Sequence, residues 1–138
     1  MANSYLLAGV TAGMDVRIAG PAGYLPEERI IRAAEDRAAE TGGKVTITTD
    51  PSAALADADV VATDTWISMG QEEEKEQRMQ LFGDYRVDAP AMAKADPGAV
   101  VLHCLPAYRG AEITGEVLDG PQSVIWDEAE NRCMRRRR

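Results

Sequence analysis

The sequence predicts an α/β fold, a Rossmann-like parallel sheet with helices on both faces. Short β-branched or apolar runs recur at residues 16–19, 45–48, 59–63 and 99–102. Between them lie segments with helical periodicity or helix-ending residues. Strands separated by helices wind into a parallel sheet through right-handed crossovers. A chain of 138 residues is enough for one such domain.

Each element has a local cause. Residues 3–11 read as a helix with Tyr5, Leu6 and Leu7 as its apolar surface, closed by Gly13. Val16-Arg17-Ile18-Ala19 alternates apolar and polar, as a strand does. Gly20-Pro21-Ala22-Gly23 is a turn. Pro26 suits a first helical position, and Glu27 and Glu28 complement the positive end of the helix dipole. Ile30, Ala34 and Ala38 then repeat at helical spacing until Gly42-Gly43. Residues 45–48 form a β-branched strand. Asp50-Pro51 caps and starts a short helix to about Leu55. Residues 59–63 read as a strand buried at both Val60 and Val61. Residues 68–85 are polar, a solvated helix start or loop, and residues 89–95 form a helix stopped by Pro97-Gly98. Residues 99–102 are a buried strand and residues 123–126 a last strand. A final helix opens at Asp127, with Asp127 and Glu130 spaced as a capping box.

Composition narrows the function. Fifteen basic against 23 acidic residues give a net charge of −8. That field disfavours nucleic acid as a partner. The exception is the tail at Arg135–Arg138, read as a frayed, solvated end; residues 133–138 are expected to be disordered beyond a domain spanning 1–132. No apolar run approaches the roughly 20 residues that span a bilayer, and no basic segment precedes an apolar one at the start. Two cysteines without metal-ligand spacing fit a reducing cytoplasm and no metal site.

In open parallel sheets ligands bind beyond the carboxyl ends of the strands. Three segments fall there. In Asp64-Thr65-Trp66-Ile67-Ser68-Met69-Gly70 a carboxylate and a hydroxyl four residues on suit a cationic amine. The backbone at Met69-Gly70 suits a carboxylate. The plainer reading is a turn-capping Asp64 and a loop hydroxyl. In His103-Cys104-Leu105-Pro106 the thiol is a candidate nucleophile or proton acceptor. Neighbours in a strand face opposite ways, however, so His103 and Cys104 need not form a dyad. A buried packing cysteine is the alternative. In Asp127-Glu128-Ala129-Glu130-Asn131-Arg132 the guanidinium of Arg132 suits an oxygen-rich ligand. A surface Arg132 paired with Glu128 is the alternative.

Together these motifs, with Arg109-Gly110, Met1-Ala2-Asn3-Ser4, Ala12-Gly13-Met14-Asp15-Val16-Arg17 and Gly120-Pro121-Gln122-Ser123-Val124, resemble the ornithine carbamoyltransferases from Ala2 to Arg132. The resemblance implies the C-terminal, ornithine-binding domain of such an enzyme. It implies transfer of the carbamoyl group of carbamoyl phosphate to L-ornithine, giving L-citrulline and phosphate in arginine biosynthesis, without metal or cofactor. It implies that Asp64 and Ser68 hold the α-amino group of ornithine and the Met69 backbone its carboxylate. Cys104 would lie by the attacking amine, and the Leu105 backbone and Arg132 by carbamoyl phosphate. The family is trimeric, which implies a homo-oligomer.

Two departures from the family pattern bear on this. The central strand that precedes the family's Gly-Asp-Gly-Asn-Asn-like turn, and the phosphate-binding domain, have no counterpart in these residues. The sheet is therefore expected to lack its first, central strand, the carbamoyl phosphate site to be partial, and the isolated chain to be inactive. A stand-alone amino-acid-binding module, a regulatory partner, or a carbamoyltransferase for another amine are the competing readings.

Overall fold

The computed structural model describes residues 1–67 and 75–135, with the backbone alone at residues 75 and 132–135. The chain divides into two compact units, Met1–Ala54 and Leu55–Arg138. No shift in composition or linker-like stretch marks that division along the chain.

In the first unit, α1 (Ala2–Thr11) leads to β1 (Asp15–Ala19), α2 (Glu28–Thr41) and β2 (Lys44–Thr48), and α3 (Pro51–Leu55) begins. β1 and β2 pair in parallel, with Val16 opposite Val45 and Ile18 opposite Ile47. Leu6 and Val10 of α1 and Ala34 and Ala38 of α2 form the core, with Val16, Ile18, Ile30, Val45 and Ile47 packed against them. The helical spacing of Ala34 and Ala38 thus marks the buried stripe. α2 starts two residues after Pro26, with Glu27 extended at its N-cap, and Gly42 ends it in the left-handed region at φ 79°. Gly9 lets α1 lie against β1: a Cβ there would sit 2.5 Å from Val16 Cγ2. Asp50 Oδ1 accepts from the Ser52 amide at 2.8 Å, starting α3 as its Asp-Pro pair predicts.

In the second unit come β3 (Val60–Thr63), α4 (Lys75–Leu81), a 3-10 turn at Gly83–Tyr85, α5 (Ala89–Met92), β4 (Val100–His103), α6 (Gly115–Leu118) and α7 (Ile125–Arg135). β3 and β4 pair in parallel, with Thr63 opposite His103. β4 also bridges Ser123 on its other edge. Its core includes Val61, Val87, Met92, Ala99, Val101, Ile113, Leu118 and Ile125. Burying a side chain such as Ile113 contributes roughly 2–3 kcal/mol. α5 is capped by Asp88, whose Oδ1 accepts from the Ala91 amide at 2.9 Å.

Parallel pairing and the α/β class agree with the sequence. The strands form two two-stranded sheets, β1–β2 and β3–β4, so β1 and β3 each have one neighbouring strand among the described residues. Four local expectations are corrected. Val60 is half exposed, because Val60 and Val61 face opposite ways and only Val61 enters the core. Residues 123–126 make a single bridge, and α7 takes over at Ile125. Asp127 and Glu128 therefore lie in the first turn of α7, not at its cap. The helix of residues 89–95 stops at Met92, and α6 carries too few residues to show a period. The backbone of α7 continues past Arg132 to Arg135. Among the described residues no helix is long and apolar enough to cross a membrane.

Candidate functional site

Because Thr63 and His103 are in register, the residues that follow them emerge side by side. These are Asp64 and Cys104. The buried Cys104 thiol donates to Asp64 Oδ1 at 3.0 Å. The same oxygen accepts from the Thr65 amide at 2.8 Å. Burial, then the hydrogen bond to Asp64 and its negative charge, then the charge of Glu128 push the Cys104 thiol up to about 12. The group is therefore a thiol at neutral pH, and its sulfur lone pairs are left as weak acceptors. Of the roles open to it from sequence, this geometry favours a hydrogen-bonding one over a thiolate nucleophile.

The third segment joins at the same place. Glu128 Oε2, from the first turn of α7, accepts from the His103 amide at 3.0 Å. The ends of β3 and β4 and the start of α7 thus meet. Arg132 stands on α7 four residues beyond Glu128. Ser68 and Met69 lie outside the described residues. The segment leading to them is anchored by the buried Trp66, whose ring lies 5.9 Å from that of Phe82 and whose carbonyl accepts from Arg78 at 3.3 Å.

His103 points away from Cys104, as strand alternation predicts, and makes no dyad with it. Its Nε2 lies 3.1 Å from Glu112 Oε1, and both side chains are buried. Its Nδ1 accepts from the Leu105 amide at 2.9 Å. Leu105 adopts φ 54°, a left-handed conformation that costs a non-glycine residue on the order of 1–3 kcal/mol. Glu112 Oε1 also accepts from the Tyr108 amide at 2.6 Å. Sequence reasoning missed Glu112. Its one signal was an acid followed directly by Ile113, nine residues after the only histidine. Arg109, part of the motif, instead pairs at the surface with Asp119 at 2.9 Å, a contact worth little in water.

A parallel α/β unit that gathers an acid, a thiol and a helix start at its strand ends holds them where open parallel sheets bind ligands, as a ligand-binding domain does. The comparisons make this specific. Residues 1–137 match the Asp/Orn binding domain of aspartate/ornithine carbamoyltransferase, and the chain belongs to that family. It is 67% identical over 132 residues to the ornithine carbamoyltransferase of Renibacterium salmoninarum, covering 96% of this chain and 42% of that protein. It is 62% identical to that of Leifsonia xyli subsp. xyli over the same shares. The solved ornithine carbamoyltransferase of Pyrococcus furiosus superposes with a TM-score of 0.91 at 48% identity, over 96% of this chain and 42% of that one. An acetylornithine transcarbamylase complexed with acetylcitrulline superposes at 0.82 and 36%, over 96% and 40%. The chain spans about two-fifths of the length of these relatives.

Proposed function

We propose that this chain is the ornithine-binding domain of an ornithine carbamoyltransferase, serving arginine biosynthesis in the cytoplasm. The supporting observation is the Cys104–Asp64 pair at the ends of adjacent strands. In the reaction the side-chain amine of ornithine attacks the carbonyl carbon of carbamoyl phosphate. A C–N bond forms, the C–O bond to phosphate breaks, and phosphate leaves with its electron pair. The amine must first give up a proton, since an alkylammonium has a pKa of roughly 10 in water.

Asp64 and Ser68 hold the α-amino group, and the Met69 backbone meets the α-carboxylate. Cys104, with its proton committed to Asp64, offers sulfur lone pairs to an N–H of the attacking amine. That contact orients the nitrogen toward the carbonyl carbon, so the rate gain comes mainly from positioning. The Leu105 backbone and Arg132 contact carbamoyl phosphate, whose phosphate is gripped by residues outside this chain. No metal or organic cofactor enters, and the working form is a homo-oligomer, a trimer by family resemblance.

Citrulline formation is the test, measured with the chain alone and with a separately produced phosphate-binding half. Activity only in the mixture supports the proposal. Ornithine binding without activity in the mixture would instead make the chain a binding module. The mixture is also offered N-acetylornithine and a diamine lacking the carboxylate. Preference for either would reassign the amine.

A further inference from the structure

The buried His103–Glu112 pair has no part in the chemistry above, yet it is the most enclosed polar contact described in the second unit. Each partner is 1% exposed. A buried ionisable pair needs its polar atoms satisfied, and here they are satisfied by one loop. His103 Nδ1 accepts from the amide of Leu105. A nitrogen that accepts carries no proton, so the ring proton is on Nε2, facing Glu112 Oε1 at 3.1 Å. Donation to a carboxylate enriches Nδ1 in electron density and strengthens its hold on Leu105. Glu112 also holds the Tyr108 amide, so both ends of the turn after β4 hang from this pair.

We propose that His103, fixed as its Nε2–H tautomer by Glu112, is a positioning residue that sets the Leu105 backbone where it meets the carbamoyl group. This rests on the proposed function for the identity of that group. The ring itself touches no reacting atom. Its influence passes through the Leu105 amide, which it holds while the residue keeps φ 54°.

Histidine 103 is the only histidine, so a long-range 1H–15N spectrum of the 138-residue chain reads its two ring nitrogens alone. The expected result is a protonated Nε2 and an unprotonated Nδ1. Two variants separate the two bonds. His103→Asn keeps an acceptor near the Nδ1 position, and His103→Gln keeps a donor near the Nε2 position. In the mixture with the phosphate-binding half, His103→Gln should raise the KM for carbamoyl phosphate about tenfold, as loss of one well-placed hydrogen bond does. Its KM for ornithine should stay within about twofold. His103→Asn should recover most of the difference. Glu112→Gln keeps an acceptor for both donors and should retain the Nε2–H tautomer.

A proton on Nδ1 overturns the proposal. So does a carbamoyl phosphate KM in His103→Gln equal to that of the wild type, or equal damage in the Asn and Gln variants, which would mean that the ring only fills space. A wild-type mixture that makes no citrulline sinks the proposed function instead. The spectrum then still decides whether the ring holds Leu105.

Discussion

The Cys104 thiol donates a 3.0 Å hydrogen bond to Asp64 Oδ1, linking the residue after β4 to the residue after β3. With the thiol pushed up to about 12, Cys104 carries roughly a thousandfold less thiolate at neutral pH than an ordinary cysteine.

Cys104 should therefore resist alkylation. In a Cys133→Ser background, iodoacetamide at pH 8 should label it far more slowly than a free thiol. Asp64→Ala removes both the acceptor and its charge and should speed labelling at least about tenfold. Equal rates in the two proteins would show that burial alone protects the sulfur.

Stability should carry the same signature at alkaline pH. The folded-state value lies above the ordinary thiol value of 9.0, so the folded chain binds the extra proton. The contribution is fully present below about 9 and is lost as pH rises toward about 12. Urea midpoints measured from pH 8 to 11 should fall more steeply for the wild type than for Cys104→Ser. Parallel curves would remove Cys104 from the account.

Gly9→Ala sets two effects against each other. Alanine gains about 0.5–1 kcal/mol in a helix interior, but its methyl would meet Val16 Cγ2 at 2.5 Å. Overpacking of that kind costs about 1–3 kcal/mol, so a net loss is expected, partly relieved by Val16→Ala. A urea midpoint at or above the wild type would mean that α1 can shift off β1 at little cost.

Strands β1 and β3 each have one hydrogen-bonded neighbour strand among the described residues. An edge that is neither paired nor covered is a template for another strand. Sedimentation should show association of the purified chain as its concentration rises. A monomer throughout, with a sharp reversible melt, would argue that these edges are protected.

The sequence was informative wherever a local rule decides the outcome. Val16 and Ile18 alternate because one face of β1 is buried, and Gly42 ends α2 because only glycine reaches φ 79° without strain. The residues just after β3 and β4 were legible through the strand-end rule. That rule puts Asp64 and Cys104 on one rim but gives neither the direction of the hydrogen bond between them nor the state of the thiol. Those depend on burial and on Glu128, which is 24 residues away in the chain from Cys104. Glu112 was invisible for a related reason. Nothing local distinguishes a buried carboxylate from a surface one until His103 and the Tyr108 amide are brought to it. The early start of α7 was missed because Ser123-Val124-Ile125-Trp126 is apolar and β-branched. Its packing beside Val101 leaves room for one bridge and then a helix.

The two indoles stand in opposite surroundings. Trp66 is 6% exposed and rests near Phe82, whereas Trp126 is 59% exposed. Intrinsic emission from this chain is therefore a sum of two separable colours, a blue one from Trp66 and a red one from Trp126. Iodide in the solvent extinguishes the red component first. The remaining light comes from a ring two residues beyond Asp64, so the chain carries its own reporter of what happens at that rim.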